Sequence, residues 1–267
     1  MKQLANWTLW PGSSLWLTDA LEASLYWMLK VQALRYYWLG AGRPNFPHSR
    51  AAYFTAYRDR NVASLIRGFY TRQVLAPGAR VLTIGCGDGF NDYFFLSRIA
   101  GHIDAVDVQP EAIRIARRYH RARNVHFHTL NAAQECFPRP EYDLVVMDGC
   151  IAHFPAEAMD PLLRRIAACL PPHGFYVGSE VMESPERMTH DHLQAFPEPA
   201  AMEALLARYF PVVQVWQEDG PRFSQVFWRC AGSREAFDRL EARRRDTLAQ
   251  LHRTTDPVAP LSPVRTP

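Results

Sequence analysis

With 267 residues, 48% of them hydrophobic and 21% charged, the chain can bury a full core and excludes a largely disordered or low-complexity protein. Thirty basic residues stand against 27 acidic ones, a net charge of +3 that is too small to argue for a nucleic-acid partner. The five cysteines, Cys86, Cys136, Cys150, Cys169 and Cys230, show no metal-like spacing and cannot all pair within one chain, which fits a reduced, cytoplasmic setting.

Residues 1–79 read as an N-terminal helical cap. Five of the seven tryptophans fall there (Trp7, Trp10, Trp16, Trp27 and Trp38). The start lacks a signal-peptide layout, and no run of about 18 uncharged apolar residues predicts a membrane span. From Leu15 to Leu39 the pattern is helical: Asp19, Glu22 and Lys30 share one side, and Leu17, Leu21, Met28 and Leu29 the other. Gly40, Gly42, Pro44 and Pro47 end it, and a second helical stretch runs from about Ser49 to Val74.

Residues 80–230 alternate. Strands are predicted at Val81–Ile84, Ile103–Val106, Val125–Phe127, Leu144–Met147 and Phe175–Gly178, with helices near Asn91–Ile99, Pro110–His120 and Pro155–Leu170. That alternation predicts an α/β fold with a mostly parallel sheet covered on both faces. A helix near Ala200–Tyr209 precedes strands at Val212–Trp216 and Phe223–Trp228. The gap containing Gly220-Pro221 is hairpin-like, so one of these strands should run antiparallel. Residues 231–253 read as a charged C-terminal helix, and 254–267, with four prolines, as a disordered tail.

The most telling stretch is Gly85-Cys86-Gly87-Asp88-Gly89 between the first strand and a helix, followed by Asp107 at the tip of the second strand. Glycines let the backbone approach a ligand that a Cβ would push away. A carboxylate beyond the next strand can hold two ribose hydroxyls. The Gly-x-Gly-x-Gly spacing differs from the Gly-x-Gly-x-x-Gly of dehydrogenases, so a fold binding another nucleotide is the alternative.

With these residues, with Asn131-Ala132-Ala133, with Tyr142 to Asp148, with Cys150 to Phe154 and with Leu170 to Gly174, the chain resembles the class I S-adenosylmethionine-dependent methyltransferases over about residues 80–230. The resemblance implies a Rossmann-like, seven-stranded sheet with an antiparallel last strand, S-adenosylmethionine as cofactor, and transfer of its methyl group to oxygen or nitrogen of a small molecule. It implies cofactor contacts from Thr83, Gly85, Cys86, Gly87, Asp107, Val108, Asn131, Ala132, Asp148 and Gly149. Main-chain carbonyls near Asp148 and Gly149 would hold the methionine ammonium. An acid is common in that family where Thr83 and Asn131 stand; both still form hydrogen bonds. Segments Gly87–Phe95 and Cys150–Phe154 are also similar to bacterial methyltransferases of cell-surface sugar or secondary-metabolite pathways. An aminopropyl-transfer relative and a catalytically silent, partner-binding scaffold are the alternatives.

His153, just beyond the fourth strand, is the first candidate general base, with His190 behind it and His192 beside that. No metal is expected: His190, Asp191 and His192 lack helix-face spacing and a fourth ligand. Glu180 and Glu183 read first as exposed carboxylates, with orientation of an acceptor hydroxyl or amine as the alternative, and Cys86 as a small packed residue. Arg114, Arg117, Arg118, Arg121 and Arg123 read as a solvated helix face. The aromatic N-terminal helices read first as a lid over the acceptor, with a homodimer face or a peripheral membrane contact as alternatives.

Overall fold

The structure, a computed structural model, describes residue Ser24 and residues 66–186, 188, 192–219 and 224–254. The chain divides into two compact units, Met1–Val62 and Ala63–Pro267, and every element below belongs to the second. The predicted cap before residue 66, the Gly220-Pro221 turn, His190 and the C-terminal tail lie outside the described residues.

A helix, α1, covers residues 66–74. It leads through Pro77-Gly78 into β1 (Arg80–Ile84), followed by a π-helical turn (Asp92–Leu96), β2 (His102–Asp107), α2 (Pro110–Tyr119), β3 (Val125–Thr129) and β4 (Leu144–Asp148). After a short 3-10 turn (Ile151–His153) come α3 (Ala156–Ala168), β5 (Phe175–Val181), α4 (Pro199–Leu206), β6 (Val212–Asp219), β7 (Ser224–Ala231) and α5 (Arg234–Thr254). The seven strands form one sheet in the order β3-β2-β1-β4-β5-β7-β6. The first five strands pair in parallel, and β7 runs antiparallel to both β5 and β6.

The apolar strand runs follow from cover on both faces. Leu82, Ile84, Val145 and Met147 point to one face, where they meet Leu162 and Ile166 of α3 and Met202 and Leu206 of α4. Val81, Leu144 and Val146 point to the other, against Val74 of α1, Ile113 and Ala116 of α2, and Phe237 and Leu240 of α5. Arg114, Arg117, Arg118, Arg121 and Arg123 are exposed along α2 and just beyond it, as their spacing predicts. Among the described residues, no helix is long and apolar enough to cross a membrane.

Between β1 and β4 the sheet order reverses, so the crevice at their carboxyl ends is where such a sheet binds ligands. The predicted helix over Asn91–Ile99 is instead the single π-turn, closed by Ser97 N–H donating to Asp92 O at 2.8 Å. Five-residue spacing makes a wider turn than an α-helix, and such turns gather at functional sites.

Candidate functional site

Three glycines shape the turn after β1. Gly85, Gly87 and Gly89 all sit at positive φ (70°, 56° and 75°), where a side chain is strained. A Cβ on Gly85 would overlap Sγ of Cys150, and one on Gly89 would fall 2.5 Å from the Phe127 ring. Gly85 N–H and Cys86 N–H both donate to Val106 O, which seats the turn on the end of β2.

Asp107 closes that end. Its Oδ2 accepts from Gly87 N–H at 2.9 Å and its Oδ1 from Gln109 N–H at 2.8 Å. Burial raises its pKa above the usual carboxylate value, opposed by these two amides and by the nearby His153. Leu130 N–H donates to Asp107 O, bringing the end of β3 alongside. There Asn131 Oδ1 accepts from Ala133 N–H at 3.0 Å, and Ala132 is buried. Val108 stands out as a 59% exposed aliphatic side chain beside the acid, an apolar wall for a planar ligand.

At the tip of β4, Asp148 Oδ1 accepts from Ser179 Oγ–H at 3.0 Å, and burial raises its pKa against the pull of Arg67 and Ser179. Gly149, at φ 58°, donates to Ser179 O at 2.6 Å. Cys86 and Cys150 have thiols pushed well up by burial, which fits packed side chains and not nucleophiles.

A small recess, about 30 Å³, opens among Thr83, Gly85, Cys86, Asn91, Asp92 and Asp148, lined also by Gly68 and Thr71 of α1. Four of those residues (Thr83, Gly85, Cys86 and Asp148) are predicted site residues, and Asp92 is not among the predicted ones. Asp92 is fully buried, and its Oδ1 accepts from Thr83 Oγ1–H at 2.6 Å. Position 83 lacks the acid common in the family that the sequence resembles, and the carboxylate beside Thr83 comes from nine residues downstream, through a turn that local periodicity does not reveal.

The acceptor side differs more from expectation. Glu180 is 1% exposed, not a surface carboxylate. Its Oε2 accepts from Ala152 N–H at 3.1 Å and its Oε1 from Val181 N–H at 2.8 Å. Ala152 O in turn accepts from Leu193 N–H at 2.8 Å and Gln194 N–H at 3.1 Å. This clamp ties the segment after β4 to the segment after β5 and so brings His153 and His192 together, ring centroids 4.7 Å apart and edge to face. His192 Nδ1 lies 2.7 Å from Glu183 Oε2, with side chains only 9% and 11% exposed, so Glu183 is not a solvated carboxylate either. A buried carboxylate cannot escape to an apolar loop without a donor. Glu180→Ala is therefore expected to lower stability by about 1–3 kcal/mol, from the orphaned Ala152 N–H, and Glu180→Gln by clearly less. Urea midpoints for the two variants check this.

Among the described residues no group of three or more His, Cys, Asp or Glu could hold a metal ion. What converges instead suits a nucleoside with a charged tail: a carboxylate for a diol, an apolar wall, glycines that admit close approach, and buried acceptor oxygens for a cation.

Residues 81–174 match the model of a methyltransferase domain. Among curated proteins, the chain is 28% identical over 122 residues to the ubiquinone biosynthesis O-methyltransferase of Xanthomonas campestris pv. campestris (strain B100), covering 44% of this chain and 49% of that protein. It is 25% identical over 120 residues to phosphoethanolamine N-methyltransferase 1 of Arabidopsis thaliana, covering 44% and 24%. The chain thus spans half or less of the length of these relatives. Among solved structures, it resembles DhpI in complex with SAH (TM-score 0.53, 20% identity, 68% of this chain and 90% of that one). It also resembles the N-methyltransferase NodS from Bradyrhizobium japonicum WM9 (TM-score 0.54, 17% identity, 65% and 98%).

Proposed function

We propose that the chain, whose residues 81–174 match the model of a methyltransferase domain, uses S-adenosylmethionine to transfer a methyl group to an oxygen or nitrogen of a small-molecule acceptor. The observation that carries the reading is Asp107, set at the tip of β2 and joined through Gly87 N–H to a turn that only glycines can make. The oxygen acceptor of one relative's name and the nitrogen acceptor of another's leave both elements within the proposal. A secondary metabolite or a cell-surface sugar precursor is the acceptor class that the sequence resemblance supports.

Asp107 would hold the ribose diol, Val108 and Ala132 would flank the base with Asn131, and Gly85 to Gly87 would lie along the amino-acid tail. When bound, S-adenosylmethionine supplies a methyl group already activated on a sulfonium. The chain's own task is then alignment, exclusion of water and removal of the acceptor proton. His153 is exposed, faces the Asp107 end and packs against the buried His192–Glu183 pair. We assign it the proton, with His192 as the side chain that fixes its ring. His190 keeps its place as second candidate on sequence grounds alone.

Calorimetry tests the reading. Micromolar binding of S-adenosylmethionine and S-adenosylhomocysteine is expected, and no heat at millimolar ligand would favour a silent scaffold. Phenol and amine collections screened for release of S-adenosylhomocysteine would supply an acceptor. On that acceptor, His153→Ala is expected to cut turnover by about 10²-fold or more while cofactor affinity stays put. Full turnover in the variant would remove His153 as the base.

A further inference from the structure

We propose that Asp92, delivered by the π-turn and not by β1, is the anionic partner of the cofactor's α-ammonium group, with Thr83 as the residue that positions it. The inference rests on the S-adenosylmethionine reading above and goes beyond the main-chain carbonyls at Asp148 and Gly149.

Three observations converge. Asp92 is 0% exposed, and its second oxygen, Oδ2, has no hydrogen-bond partner. Buried carboxylate oxygens without a donor are costly, so an orphan at the wall of a recess marks the place of an absent donor. Oδ1 of the adjoining Asn91 is likewise buried and unpartnered, and both residues line the same recess as Gly85 and Asp148. A wall of acceptors suits a compact cation with three N–H donors, which is what an alkylammonium offers. The third observation is the hydroxyl of Thr83. It donates to Oδ1 at 2.6 Å and thereby fixes the carboxylate, with Oδ2 left without a partner. Strand and turn thus hold the carboxylate together.

The charge environment gives a second readout. Burial, with the nearby Asp88 and Asp148, pushes Asp92 up to about 7, while Thr83 and its own backbone N–H pull it down. From the other elements packed around it, Cys86 of the glycine turn is a buried neutral thiol, and Arg67 of α1 acts on Asp148. In the free protein Asp92 therefore holds its proton below about pH 7. An arriving ammonium favours the ionised form and expels that proton. Affinity should then rise with pH between about 5.5 and 7 and level off above.

The probes are S-adenosylhomocysteine, which carries the ammonium, and 5′-methylthioadenosine, which keeps the nucleoside and lacks the amino-acid tail. Asp92→Asn keeps the volume and the contact to Thr83. It is expected to weaken S-adenosylhomocysteine about 10–100-fold while 5′-methylthioadenosine binds within about twofold of the parent protein. Thr83→Val should give a smaller loss with the same selectivity, and it carries the test should Asp92→Asn not fold. Near pH 6, buffers of different ionisation enthalpy should report release of a fraction of a proton on binding, and that release should vanish in Asp92→Asn. Unchanged S-adenosylhomocysteine affinity, or equal losses for both probes, would overturn the assignment while leaving the cofactor reading intact. Failure of the parent protein to bind either probe would overturn both.

Discussion

Asp107→Ala is expected to raise the dissociation constant for S-adenosylmethionine at least a hundredfold, measured by calorimetry at neutral pH. A carboxylate holding a diol contributes two charge-assisted hydrogen bonds, each worth about 1.5–3 kcal/mol, and every 1.4 kcal/mol is tenfold in affinity. The loss has a second source within the free protein. Asp107 already accepts from Gly87 N–H and Gln109 N–H, so the variant frees one amide in the glycine turn and one at the entry to α2. Asp107→Asn retains an acceptor oxygen for one of these and should lose only about tenfold. The pH dependence has a definite sign. Because burial raises the Asp107 pKa, its grip should fade as pH falls through a value above the usual carboxylate range. An alanine variant with unchanged affinity and an intact circular-dichroism spectrum would remove Asp107 from the cofactor site.

The sequence made Asp107 legible because both of its relations are local: an apolar strand before it, and a glycine turn one crossover upstream. The same holds for the strands. The first six apolar runs lie inside the strands they predict, while the polar ends were missed, and Phe223 at the start of the seventh lies outside the described residues. β2 and β4 extend to Asp107 and Asp148, and β5 runs past Gly178 through Ser179 and Glu180 to Val181. Pairing with β7 continues there, Ser179 opposite Phe227 and Glu180 opposite Val226, and no pattern within β5 announces a partner that is nearly fifty residues away. Buried acids are illegible for the same reason. Asp92 and Glu180 look like surface residues by type, and donors from other elements, Thr83 and Ala152, help to make their burial tolerable. His153 was singled out by its place after the fourth strand, yet its neighbour His192 depended on the clamp at Ala152, a long-range contact with no sequence signature.

Gly178→Ala is expected to be the most destabilising single-methyl change in the described sheet. A Cβ at Gly178 would fall inside the carbonyl oxygen of Met147 and against the Trp228 ring. Neither can yield. Met147 O is backbone of β4, in register with Gly178, and Trp228 is 1% exposed in the middle of β7. Overpacking a core usually costs about 1–3 kcal/mol, and a backbone obstacle on one side with an indole on the other puts this site at about 3 kcal/mol or more. For a unit of this size that corresponds to a fall in melting temperature of roughly 6–12 °C. Gly232→Ala, whose Cβ would meet nothing nearer than 3.8 Å, is the control expected to leave the melt unchanged. The functional consequence follows from what flanks the clash. Pushing β4 from β5 displaces Asp148 on one side and Ser179 and Glu180 on the other, so the Asp148–Ser179 contact and the Ala152 clamp loosen together. Cofactor affinity in Gly178→Ala should therefore drop even at temperatures where the variant stays folded. Affinity equal to that of the parent protein at such a temperature would show that β4 and β5 hold the site without this close approach.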